Sequence, residues 1–176
     1  MIPVLCVQYS ARHRIHYHPR FSPFQRYPVV ALNVFISHSW SYSEHYDRLS
    51  EWVFRTIWTV GSKAIQFRDT SVPKDNPMHY APNAAALEAA INERIIASDV
   101  VVIPTGMYAS HSKWIGKEIA GAQIFQKPIL AVDLWGSQRS ASVVIQAADD
   151  VVGWNKNSVI DAVWRLGTRR PGFGRA

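Results

Sequence analysis

The sequence predicts an α/β fold in which a parallel sheet is covered by helices on both faces, and three observations carry that prediction. From Val29 onward, short β-branched runs alternate with longer segments whose apolar residues recur at helical spacing. Runs such as Val100-Val101-Val102-Ile103 are apolar at every position, which an internal strand covered on both faces requires and a half-exposed antiparallel strand does not. The chain has 176 residues, 48% of them hydrophobic and 18% charged, enough for one domain with a sizeable core and incompatible with a disordered or fibrous protein.

Taken in order, strands are expected at 34–37, 64–67, 100–104, 129–133 and 151–154. Helices are expected at 44–60, 83–98, 112–126, 140–147 and 158–166, so that five β–α units result. Ser41-x-x-Glu44 reads as a capping box, Asn83 as an N-cap, and Asn157 or Ser158 as the cap of the last helix. Between the second strand and second helix lies Thr70 to Pro82, with three prolines, a length at which loops are functional or mobile.

The net charge of +6 is concentrated at the ends. Residues 1–30 and 165–176 each hold four Arg and no acid, which leaves 11 basic and 13 acidic residues between them. Nucleic acid is therefore not an expected partner. Residues 1–28 read as a basic, flexible N-terminal extension, 29–166 as the folded domain and 167–176 as a basic C-terminal tail. The trio His13, His16 and His18 has no carboxylate or cysteine nearby, so no metal site is expected. A single cysteine, Cys6, permits no internal disulfide and fits a reducing cytoplasm. No apolar run approaches the roughly 18 residues of a membrane-spanning helix, and Met1 to Val7 is too short for a secretory signal, so no membrane association is expected.

Sites in open parallel sheets form just beyond the carboxyl ends of the strands. Ser37, His38, Ser39 and Trp40 fall there after the first strand, Asp69 and Ser71 after the second, Thr105, Gly106 and Tyr108 after the third, and Leu134, Trp135 and Gly136 after the fourth. None of these turns carries a P-loop or GxGxxG, which disfavours an NTPase or a dinucleotide-binding Rossmann enzyme. The first turn lacks the acidic pair of a phosphorylated receiver, and no Gly-x-Ser-x-Gly marks a hydrolase triad for His38 or His111. Trp114 and Glu118 stand one helical turn apart, so an aromatic plane and a carboxylate share one helix face. That pair can stack a flat ring and stabilise positive charge at an anomeric carbon. Trp40 and Glu44 repeat the spacing, and the plainer reading of Glu118 is a solvated helix carboxylate beside Lys117. Likewise Ser37 and Ser39 can satisfy turn backbone, and Asp69 can pair with Arg68 or cap a loop. Trp52, Trp58 and Trp164 fall on apolar helix faces and read as core.

The series Val34-Phe35-Ile36-Ser37-His38-Ser39, Phe67-Arg68-Asp69, Asp99-Val100-Val101-Val102-Ile103 and Lys113-Trp114-Ile115-Gly116-Lys117-Glu118-Ile119, followed by Lys127-Pro128-Ile129, resembles the TIR domain superfamily. The resemblance is strongest to the TIR-like branch of bacterial anti-phage systems of the Thoeris type, and it spans about residues 31–166. It implies a flavodoxin-like three-layer sandwich with a five-stranded parallel sheet in the order 2-1-3-4-5. It also implies cleavage of NAD+ at the nicotinamide–ribose bond, giving ADP-ribose or a cyclic ADP-ribose-type signal that reaches a downstream effector. NAD+ is then the substrate and no separate cofactor is needed. By matching positions, Glu118 is the catalytic glutamate, Phe35 and Ser37 line the nucleotide pocket, Trp114 forms part of its wall, and Asp69 lies where the next loop closes over the ligand. Self-association through TIR–TIR contacts is expected, although the proline-rich 70–82 loop departs from the compact form of receptor-adaptor members. Two rivals remain: a TIR-like interaction module without turnover, and a nucleoside deoxyribosyltransferase-like enzyme that also attacks an N-glycosidic bond with a carboxylate.

Overall fold

The computed structural model describes residues 16–17, 29–37, 43–60, 63–72, 83–134 and 142–169. Their order is β1 (His16–Tyr17), β2 (Val29–Ile36), α1 (Ser43–Phe54), β3 (Trp58–Val60), β4 (Lys63–Asp69), α2 (Ala84–Ala97), β5 (Val100–Pro104), a 3₁₀ turn (Thr105–Met107), α3 (Tyr108–Ile124), β6 (Ile129–Asp133), α4 (Ser142–Ala147), β7 (Asp150–Gly153) and α5 (Lys156–Gly167). One sheet joins all the strands in the order β1-β3-β4-β2-β5-β6-β7. The pairs β4–β2, β2–β5, β5–β6 and β6–β7 are parallel, and β1–β3 and β3–β4 are antiparallel.

The mixed sheet corrects the expectation of five strands, all parallel. A helix expected through Val60 stops at Phe54, because Thr56, Ile57, Thr59 and Val60 are β-branched and favour extended backbone. Trp58 is 1% exposed within that run, and its Nε1 donates to the Trp52 carbonyl at 3.2 Å. It is core as expected, but on a strand. Val60 pairs with Lys63 across a two-residue connection, so β3 folds back on β4 as a hairpin. His16 and Tyr17 then pair with Thr59 and Trp58, so the N-terminal segment expected outside the fold lends two residues to the sheet edge. A two-residue strand is too short to show a period.

Strand alternation divides the core into two layers. Leu32, Val34 and Ile36 of β2, Val100 and Val102 of β5 and Leu130 and Val132 of β6 pack under Tyr46, Leu49 and Val53 of α1 and Val159, Ile160, Val163 and Leu166 of α5. On the other face Phe35, Val101, Ile103, Ile129 and Ala131 meet Ile91 and Ile95 of α2, Ile115, Ile119 and Ala122 of α3 and Val144 of α4. All five residues of β5 are buried, as an internal strand requires.

The caps explain the helix boundaries. Asn83 Oδ1 accepts from Ala86 N at 2.8 Å and starts α2. For α5 the cap is Asn155, not Asn157 or Ser158, since its Oδ1 reaches the amides of both those residues at 3.1 and 3.2 Å. Gln126 adopts φ 52° after α3, and Lys127 N reaches back to Ala122 O at 2.8 Å, a left-handed helix stop. Ser41 of the expected capping box lies outside the described residues, and Glu44 is exposed in the first turn of α1.

Because Trp58 anchors the antiparallel edge to α1 and to the α1/α5 layer, Trp58→Ala should lower unfolding free energy by about 3–5 kcal/mol. Urea unfolding measures this. A loss below about 1 kcal/mol would show that the ring is not part of the core.

Candidate active site

The site is built where β2 ends under α3. Along α3, residues 115, 118, 119 and 122 follow helical spacing, and three of them, Ile115, Ile119 and Ala122, are core. The fourth is Glu118, a carboxylate set into an apolar stripe and only 6% exposed. Phe35 is 1% exposed beneath this helix, and alternation along β2 brings Ser37 to the same face. Ser37 is itself 1% exposed; its amide donates to Val102 O at 2.8 Å, and its Oγ donates to Glu118 Oε2.

Burial pushes the Glu118 carboxyl up to about 7 from its ordinary 4.5, while the hydrogen bond from Ser37 pulls it back toward the ionised form. The reading of Glu118 as a solvated carboxylate beside Lys117 is therefore corrected. Lys117 turns to Glu88 at 2.7 Å and lies 5.6 Å from the centroid of the Trp114 ring. Trp114 is half-buried against the α2–α4 layer, one turn before Glu118.

Asp69 sits farther along the rim, at the end of β4. Its Oδ1 accepts from Ser71 N at 2.8 Å and its Oδ2 from the Tyr46 hydroxyl at 2.9 Å. Burial first, and Asp69 second, push the Tyr46 phenol well above its ordinary value, so it remains a donor. Ser71 Oγ accepts from Ile36 N at 2.8 Å, and Arg94 donates to Ser71 O at 2.9 Å. The geometry around Asp69 is thus the loop-capping arrangement, and it fastens the start of the 70–82 loop to the strand residue before Ser37. Sequence reasoning passed over Asp133, whose Oδ1 accepts from the buried Thr105 Oγ1 at 2.8 Å on the same rim. The signal available was positional: Asp133 is the last residue of its strand.

His38, Ser39, Trp40, Trp135, Gly136 and the 73–82 portion of the long loop lie outside the described residues, as do His13 and His18. Two clefts, of about 550 Å³ near Gln123, Lys127 and Arg169 and about 720 Å³ along α1 near His45 and Trp154, do not include Glu118. Among the described residues no cluster of three or more His, Cys, Asp or Glu is placed to hold a metal, and no helix is long and apolar enough to cross a membrane.

A mostly parallel sheet covered on both faces, with a buried carboxylate at its strand ends, defines an α/β domain of the doubly wound type. Residues 35–139 match the family described as the TIR-like domain of the Thoeris protein ThsB, and the chain belongs to that family. No curated protein matches. Among solved structures, translation elongation factor SelB from Methanococcus maripaludis in complex with the GTP analogue GppNHp is similar at TM-score 0.47 and 10% identity, over 80% of this chain and 35% of that one. Its apo form is similar at TM-score 0.45 and 11% identity, over 77% and 35%. This chain spans about a third of the length of either.

A raised carboxyl has a defined linkage sign. The folded state holds its proton up to about 7 while an unfolded chain releases it near 4.5, so this contribution to stability is full below about 4.5 and lost as pH rises through 7. Glu118→Gln removes the titrating group. Denaturant unfolding should therefore find the variant more stable than wild type above pH 7, by up to roughly 3 kcal/mol, with the gap shrinking toward pH 4.5. An equal gap at both pH values would contradict the burial account.

Proposed function

We propose that the chain cleaves the N-glycosidic bond between nicotinamide and ribose in NAD+, as a hydrolase or cyclase, with Glu118 as the catalytic carboxylate. The observation that carries this reading is the carboxyl of Glu118, buried in the α3 stripe yet hydrogen-bonded by Ser37 at the carboxyl end of the sheet. A carboxylate used only for solubility has no reason to be desolvated. In this reading the C1′–N bond breaks with its electron pair leaving on neutral nicotinamide, and ionised Glu118 stabilises the resulting ribosyl cation. Water then attacks C1′ to give ADP-ribose and a proton, or a nucleophile within the same ADP-ribose attacks to close a ring. Ser37 biases Glu118 toward the charged form that this step requires.

Trp114 is the proposed wall of the site, and Phe35 supports it from the core. Asp69 acts through Ser71, which it fixes against the strand residue before Ser37. Membership of the ThsB TIR-like family supports an anti-phage, TIR-type role. On this reading the product is a nucleotide signal for a downstream effector, and association between copies is part of forming the working site.

The test is incubation of the purified full chain with millimolar NAD+, followed by mass analysis for nicotinamide and ADP-ribose or its cyclic form. Glu118→Gln should cut the rate by about 10²-fold or more, the scale of one preorganised electrostatic contact. Glu44→Gln is the control, since Glu44 is exposed on α1 and outside this site. Near-wild-type cleavage by Glu118→Gln would refute the assignment.

A further inference from the structure

The rim of the sheet carries a second polar pair that the proposed bond cleavage does not use. Thr105 is fully buried, and its Oγ1 donates to Asp133 Oδ1 at 2.8 Å. Ile129 and Ala131 of β6 face the α2–α4 layer, so alternation turns half-buried Asp133 to that same face. Val101 and Ile103 of β5 and Phe35 of β2 face the same way. Ser37, Thr105 and Asp133 thus end three neighbouring strands, β2, β5 and β6, on the side where α3 presents Glu118. The turn after β5 is pressed onto the end of β6, because a Cβ at Gly106 would come within 2.6 Å of Leu134 Cδ1.

Spacing decides what Asp133 can reach. It lies two strands from Ser37, about 10 Å at ordinary strand separation, and Glu118 is in contact with Ser37. The hydroxyls of a sugar whose C1′ faces Glu118 are on adjacent carbons, too close to that carboxylate to meet Asp133. A ligand that spans both groups needs a second polyol at a distance, and NAD+ carries a second ribose across its pyrophosphate. Carboxylates at strand ends of parallel sheets take ribose hydroxyls because they accept from two neighbouring donors at once.

We propose that Asp133, held by Thr105, accepts the hydroxyls of the adenosine ribose, a role that rests on the reading of NAD+ as the ligand at Glu118. Thr105 is a positioning residue in this arrangement. The site then selects against NADP+, whose 2′-phosphate would place like charge against Asp133 and remove the hydroxyl it binds.

Calorimetric binding of NAD+ and NADP+ to the full chain carrying Glu118→Gln, which separates binding from turnover, is the test. NAD+ should bind about tenfold or more tightly than NADP+, and adding Asp133→Asn should weaken NAD+ about tenfold and bring the two ligands within about threefold. Thr105→Val should shrink the preference in the same direction by about threefold, with Thr105→Ser restoring it. The Thr105 pair carries the test if Asp133→Asn fails to fold. An NAD+ preference untouched by these variants overturns the proposal, as does failure of NAD+ to bind. If Glu118→Gln abolishes cleavage but the Asp133 and Thr105 variants leave the preference intact, the ribose site alone fails. If the preference responds to them but the wild-type chain does not cleave NAD+, the cleavage reading alone fails.

Discussion

A carboxyl group held in an apolar helix stripe is the constraint around which this domain is arranged. Ile115, Ile119 and Ala122 dock α3 on the sheet, and that docking carries Glu118 out of water with them. Burying an ionisable group is costly unless it finds a partner or gives up its charge. Here both occur in part: Ser37 donates to it, and burial lifts it to about 7. A group with that property changes charge near neutrality, which suits chemistry at a cation and costs stability once it ionises.

The neighbouring polar groups make sense as the means of holding the end of β2 still. Past Asp69 the strand pairing has run out, and the Ser71 hydroxyl stands in for the next acceptor of Ile36 N. Asp69 of β4, itself held by Tyr46 of α1, and Arg94 of α2 fix Ser71. Three elements therefore converge on the residue before Ser37, and through Ser37 on the carboxylate. Beyond β2, Thr105 and Asp133 tie the ends of β5 and β6 together. Preorganised polar groups of this kind reduce the reorganisation that a charged transition state would otherwise demand.

Much of this was legible in the sequence, for identifiable reasons. Fully apolar runs such as Val100 to Ile103 admit only a covered strand, and Asn83 announced its helix through the amide it caps. Glu118 was found by its spacing from Trp114, although the stronger signal was the stripe at 115, 118, 119 and 122, in which a single acid interrupts core positions. The edge of the sheet was hidden because Trp58 fits a helix face as well as a strand, and only its β-branched neighbours tip the balance. The His16–Tyr17 strand exists through pairing with β3 and has no pattern of its own. Asp133 escaped notice because its partner Thr105 lies 28 residues away, and no local motif encodes a contact between two strand ends.

The pH dependence of kcat/KM for NAD+ cleavage tests most directly whether the Ser37-held carboxyl is the working group. Its acid limb reports the free enzyme's essential carboxylate, so the rate should rise with pH through about 7 and then level off. In Ser37→Ala the limb should move upward, because the hydrogen bond that favours the charged form is gone. A limb at the ordinary carboxylate range near 4.5 that Ser37→Ala leaves in place would contradict the account.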